Sequence, residues 1–262
     1  MANPKLIELA KELGNESEPG EPLTHKRQGN YATLQSIVCT DKDEVLFEQA
    51  AELRVAQGVI RDDKHRAKEF TFIGGVQEIP KAMNGWYMPS FALTCGILAK
   101  CYEQRDTQPY KDVLDQYREA GVKQGMHATN TIIRWADRTI IHYPDEKDFN
   151  ILGHPGMNST PTRKAMEFDS WTKGSQWLAN VLEDNSIHDF LAKLTGLAKP
   201  ELLLDIGRYY GLETLVLFPC DESEFYETKA SIGCGGELHR FFLNLSWSQF
   251  NPYPVCPVYK VL

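Results

Sequence analysis

The chain has 262 residues, 42% hydrophobic and 24% charged, which is enough apolar material for a sizeable core and excludes a disordered or fibrous polymer. Asp and Glu outnumber Lys and Arg 36 to 28, giving a formal net charge of -8 and an isoelectric point near 5.4. That balance excludes a protein whose whole surface is built to coat phosphate. Glu8 and Glu12 interrupt the first residues, so no secretory signal is read there, and the longest apolar stretch, 91–99, is far shorter than a bilayer span. A soluble, cytoplasmic protein with no membrane partner is expected.

Leu6, Leu9, Ala10 and Leu13 recur at helical spacing, and Gly14 ends that helix. Residues 15–30 hold two prolines and two glycines without periodicity, so 1–30 reads as an N-terminal helix on an extended arm. Residues 31–262 read as one α+β domain, with a helical part (31–211) and a β part (212–262). Thr40 with Asp43 predicts a helix to about Ala56, closed by Gly58. Phe70–Ile73 reads as a short strand ending at Gly74-Gly75. Ser90 caps an apolar helix, Phe91–Tyr102, at the centre of the expected core. A further helix covers Pro109–Ala120 and buries Val113, Leu114 and Tyr117.

Asn130–Tyr143 carries Ile132, Trp135, Ala136, Thr139, Ile140 and Tyr143 on a helical face, and equally fits a hairpin turning at Asp137; the helix is preferred. After a loop over Pro144–Ser159, Thr160-Pro161 starts a helix towards Leu182. Helices at Ser186–Leu194 and from Pro200 to Gly211 follow. Leu212–Phe218, Glu224–Ile232 and Glu237–Trp247 then read as strands, turning at Pro219–Glu222 and Gly233–Gly236. In the last of these His239, Phe241, Leu243, Leu245 and Trp247 share one face, and Arg240, Asn244 and Ser246 the solvated one. Val258–Leu262 reads as an edge strand. The fold class is α+β: a helix-rich body, about residues 40–211, followed by a C-terminal antiparallel β meander.

The six cysteines, at 39, 95, 101, 220, 234 and 256, are scattered and contain no Cys-x-x-Cys pair, so reduced thiols are expected, with Cys95 and Cys101 inside a buried helix. Three constellations point to chemistry. Glu227 and Lys229, two apart on a strand, share a face, with Asp221 shortly upstream. Carboxylates hold Mg²⁺ through oxygen, the metal acidifies bound water, and the lysine orients the nucleophile. Glu227-Thr228-Lys229 is similar to the E-x-K half of the PD-(D/E)xK nuclease core, with Pro219-Cys220-Asp221 in place of the other half. The resemblance implies a Mg²⁺-dependent nuclease; the same pair also reads as a cross-strand ion pair on a solvated face.

Cys234 in a glycine-rich turn, with His239 five residues on, is a weaker thiol–imidazole pair. His142 and His154 flank the acidic Asp145, Glu146 and Asp148 without fixed ligand spacing, and no metal site is assigned to them. The basic clusters hold Lys26 and Arg27, then Lys64, Arg66 and Lys68; with Tyr31, Trp86 and Tyr87 they are the residues that would meet a nucleic-acid backbone. There is no phosphate-binding P-loop, dinucleotide fingerprint or nucleophile elbow. The function expected first is a self-assembling or partner-binding subunit of coat or nucleoprotein type, a homo-oligomer without a cofactor. It rests on the arm, the proline-rich tail, and aromatics expected at the surface (Trp86, Tyr87, Tyr253, Tyr259). The alternative is the nuclease.

Overall fold

The computed structural model describes residues 31–38, 49–56, 60, 68–83, 85–124, 127–135, 137–144, 164–167, 176–177, 185–212, 214–218, 227–235, 240–247 and 253–261. The arm over 1–30 lies outside them. Strands β1 (Tyr31–Val38) and β2 (Gln49–Ala56) pair antiparallel. The helix expected to reach Ala56 is therefore a strand in its second half: Leu53 and Val55 alternate with half-buried Glu52 and Arg54, the period of a sheet and not of a helix.

The short β3 (Glu69–Phe70) leads into helix α1 (Phe72–Ala82), started by Thr71, whose hydroxyl accepts the Gly74 N–H at 3.1 Å. Gly74-Gly75, expected to end a strand, lies inside this helix. A side chain at Gly75 would stand 3.1 Å from the Met88 sulfur, so the glycine serves close packing and not a turn. After β4 (Trp86–Tyr87), Ser90 starts α2 (Phe91–Glu103); every residue of α2 from Phe91 to Ala99 is buried. Helix α3 (Tyr110–Gln124) follows and buries Val113, Leu114 and Tyr117 as expected.

Residues 130–143 are not a helix. β5 (His127–Arg134) and β6 (Thr139–His142) form a hairpin, with Arg138 at the turn at φ 49°. The helix expected from Thr160 is replaced, over its described residues, by β7 (Lys164–Glu167) and β8 (Gln176–Trp177). Helices α4 (Asn185–Thr195) and α5 (Leu202–Tyr209) stand where the periodicity places them. The chain ends in β9 (Thr214–Phe218), β10 (Glu227–Gly235), β11 (Arg240–Trp247), β12 (Tyr253–Pro254) and β13 (Val258–Val261).

Five helices and two main sheets, of seven and four strands, make the described fold a mixed α+β structure; β3 and β12 form a separate two-stranded pair. The seven-stranded sheet runs β7-β6-β5-β10-β11-β9-β8. β10 and β11 are the expected antiparallel hairpin, but β9 lies beyond β11 and pairs with it in parallel, so the last strands do not follow one another in space. β13 lies between β2 and β4 and is no edge strand. The large sheet is covered on both faces. Ile133, Ile140, Ala230, Ile232, Leu243 and Leu245 join the core built around α2 to α5. Ala128, Ile132 and Ile141 join a second core with Phe72, Val76 and Ile79 of α1. Asn244, expected on a solvated face, is accordingly 5% exposed. Cys95, Cys101 and Cys256 are buried free thiols. No helix among the described residues is long and apolar enough to cross a membrane.

Candidate functional site

β10 occupies the middle of the seven-stranded sheet, between β5 and β11, and its alternation sorts the side chains. Ala230 and Ile232 enter the helix-side core. Thr228, on the same face, is fully buried, and its hydroxyl accepts the Trp135 indole N–H at 2.8 Å. Glu227, Lys229 and Ser231 alternate onto the other face. There Glu227 lies opposite Arg134, Lys229 opposite Ile132 and Trp247, and Ser231 opposite Ala128 and Asn244. The strand spacing thus places Glu227 and Lys229 together as read from sequence, and adds Ser231 and Asn244, which that reading did not select. The signal was present in the alternation: three polar residues at 227, 229 and 231 interleave with Thr228, Ala230 and Ile232.

The ladder is irregular at this place. Between Lys229 and Ser231 the register slips against both neighbours, and β5 passes from Ile132 to Ala128 over the same two-residue step of β10. The extra length of β5 reaches the start of α2. The Asn130 N–H donates to the Pro89 carbonyl at 2.7 Å, and the Thr131 hydroxyl accepts the Phe91 N–H at 2.8 Å. Thr131 also meets His142 Nδ1 at 2.8 Å, while His142 Nε2 lies 3.3 Å from the Lys193 carbonyl. An Nε2–H tautomer suits both contacts, because the carbonyl requires a donor and the hydroxyl proton is then given to Nδ1. The Thr129 hydroxyl donates to the Ala230 carbonyl at 2.6 Å. All of these polar side chains are buried, an unusual density for the middle of a sheet.

Electrostatics sets the two residues of the sequence motif apart. Glu227 accepts from Arg134 Nε at 3.2 Å, the cross-strand ion pair that its position allowed, with the pair only 9% and 17% exposed. Lys229 is fully enclosed, and burial draws its amine down to about 7, so near neutrality a large share of it is uncharged. A desolvated amine of this kind is a base and a nucleophile. On the opposite face His127 stacks near Tyr117, ring centroids 5.0 Å apart, and burial pulls the imidazole down to about 4, leaving it neutral. Burial raises the Tyr117 phenol and the Cys101 thiol, so neither ionises at ordinary pH.

Of the other residues singled out from sequence, Asp221, His239, Lys26, Arg27, Lys64 and Arg66 lie outside the described residues. Cys234 belongs to β10, opposite Phe241, and not to a turn; its side chain is not among those described. Lys68 is engaged by its own chain, 3.0 Å from the Glu78 carboxylate and 4.5 Å above the Phe70 ring. Among the described residues no three His, Cys, Asp or Glu side chains are grouped to hold a metal ion. Trp86 and Tyr87, expected at the surface, are 1% and 4% exposed, because β4 pairs with β13 and both rings pack inward.

The aromatic surface lies elsewhere. Among the described residues, Tyr209, at the end of α5, is the large apolar side chain found exposed, at 37%. Its ring meets Tyr102 of α2 edge to face at 5.9 Å and Tyr210 at 5.8 Å, and the Arg105 guanidinium lies 4.4 Å over the Tyr102 ring. Arg105 is further fixed by a 2.8 Å bond to the Tyr102 carbonyl. Sequence reading missed this cluster because its members are separated by a hundred residues. No family model, curated protein or solved structure matches this chain.

Proposed function

We propose that the chain is a self-assembling or partner-binding cytoplasmic subunit, of coat or nucleoprotein type, that docks through the Tyr102–Arg105–Tyr209 face. The observation that carries this reading is the preassembled aromatic and guanidinium cluster at the surface. Tyr and Arg are the side chains that dominate protein interfaces, since they bring large area and directional bonds for little ordering entropy. Here two tyrosines and an arginine already hold one another in place. Light scattering at several concentrations, with and without single-stranded nucleic acid, tests the reading. A multiple of the 29.8 kDa chain mass is expected, reduced in the double variant Arg105→Ala, Tyr209→Ser. A wild-type monomer indifferent to nucleic acid, or an assembly unchanged in that variant, overturns it.

The second reading is the Mg²⁺-dependent nuclease, favoured by Glu227 and Lys229 sharing one face of a central strand. With Asp221 as a further carboxylate, cleavage of DNA or RNA is expected in Mg²⁺ or Mn²⁺ and lost in Glu227→Gln. Cleavage that persists in that variant removes the reading.

A further inference from the structure

The four-stranded sheet ends on one side at β1, and among the described residues no other strand pairs with its free edge. The other edges of the two main sheets are short: β4 and β8 have two residues each and β7 has four, against eight in β1. Every second residue of an edge strand turns its N–H and C=O away from its neighbour, an open row that pairs readily with another strand. Edges left free in water are commonly guarded by lysine, proline or a bulge. β1 has no charged residue and no proline, and its register with β2 runs from Tyr31↔Ala56 to Val38↔Gln49 without a shift. The strand is also fixed in place. Leu34 is fully buried in one core with Leu53 and Val55, and helices α2 and α3 pack against β1.

We propose that the β1 edge is a homodimer interface, at which β1 of a second copy of this chain adds antiparallel and joins two four-stranded sheets into one of eight strands. Antiparallel pairing of a strand with itself is isologous, so it closes on a dimer and leaves no further edge at that place. Its two-fold axis stands normal to the sheet, which keeps α2 and α3 of both copies on one side. The apolar face around Leu34 then continues across the junction under helices that each copy brings, whereas a peptide alone would leave its own half uncovered. Charge points the same way. Copies with a net charge of -8 repel, and their contact requires a strip that adds no like charge. β1 is neutral, and in the next strand Glu52 and Arg54, opposite Gln35 and Thr33, carry opposite signs 3.9 Å apart. Such a strip offers a strongly acidic or basic peptide nothing to select.

The inference deepens the assembly reading by adding a second interface, and the two fail separately. In the Arg105→Ala, Tyr209→Ser background, light scattering is expected to find a dimer, twice the 29.8 kDa chain mass, and adding Gln35→Lys is expected to weaken that dimer several-fold. Gln35 stands opposite Glu52, so a lysine there suits the folded chain. Full overlap of two β1 strands centres the axis between Leu34 and Gln35, where the two lysines meet as like charges. A monomer in the Arg105→Ala, Tyr209→Ser background, or a dimer that Gln35→Lys leaves unchanged, overturns the β1 interface and leaves the aromatic face standing. An assembly insensitive to Arg105→Ala and Tyr209→Ser but dissociated by Gln35→Lys does the reverse. Hydrogen exchange of the wild-type chain removes the dependence on any variant. Amides over 31–38 are expected to exchange several-fold faster once the protein is diluted to monomer, with those over 253–261 unchanged. Protection over 31–38 that is the same at every concentration, the sign of a segment of the same chain lying on the edge, overturns the proposal.

Discussion

Arg134 and Glu227 face each other across the β5–β10 ladder, Nε 3.2 Å from Oε2, with both side chains largely withdrawn from water. The sheet register, and not chance encounter of long surface side chains, sets this distance, so little side-chain entropy opposes the pair. Its desolvation is partial, which keeps the Coulomb attraction stronger than at an exposed pair. Removing one partner leaves the other charge in a site from which water is mostly excluded. Glu227→Leu and Arg134→Met are each expected to lower unfolding free energy by about 2 kcal/mol, and the double variant by less than the sum. Urea denaturation of the four proteins measures the coupling. Strict additivity would show that the two residues act independently.

Lys229 makes a prediction with a defined sign. Its amine sits near 7 in the folded chain against 10.5 ordinarily, because burial disfavours the ammonium. Between those values the unfolded chain holds one more proton than the folded chain, so unfolding free energy rises with pH across that window. Below pH 7 both states hold the proton, and the penalty is complete and constant. The wild-type chain is therefore expected to gain up to about 4 kcal/mol relative to Lys229→Met between pH 7 and pH 10.5. Chemical denaturation of both proteins at pH 7, 8.5 and 10 measures the difference. A difference independent of pH would mean that the folded-state amine titrates where an exposed lysine does.

What the sequence disclosed and what it hid follow from the range of the interactions. Ser90 as a cap, the apolar Phe91–Ala99 segment and the helix over 185–195 are local signals, and each is where the pattern places it. The Glu227/Lys229 face is also local, since it requires only strand geometry. The hairpin over 127–142 was open to either reading because Ile132, Trp135 and Ile140 satisfy both periods. The choice falls to the β10 ladder, about a hundred residues further along the chain. Burial of Lys229 was hidden for the same reason. Lys229 stands opposite Ile132, which with Ala128 joins a core shared with α1, all distant in sequence, while the residues beside it (Glu227, Thr228) look like a solvated strand. The Tyr102–Tyr209 cluster likewise exists only once α2 and α5 are brought together.

Two glycines with the same backbone conformation separate strain from packing. Gly85 and Gly211 have φ of 80° and 76°, the left-handed region that side chains enter at about 1–2 kcal/mol. At Gly211 a methyl group would meet nothing within 4 Å, so Gly211→Ala is expected to lose only that conformational amount. At Gly85 the methyl would overlap the Tyr259 ring, which the β4–β13 pairing and the Trp86 contact at 5.9 Å hold in position. Gly85→Ala must therefore push Tyr259 aside in addition to adopting the strained φ, and a loss of about 3 kcal/mol or more is expected. The double variant Gly85→Ala, Tyr259→Ala removes the overlap and leaves the conformational cost. Its loss relative to Tyr259→Ala alone should fall to the Gly211→Ala value. Melting temperatures of the five proteins test this, and equal losses for the two single glycine variants would show that Tyr259 yields freely.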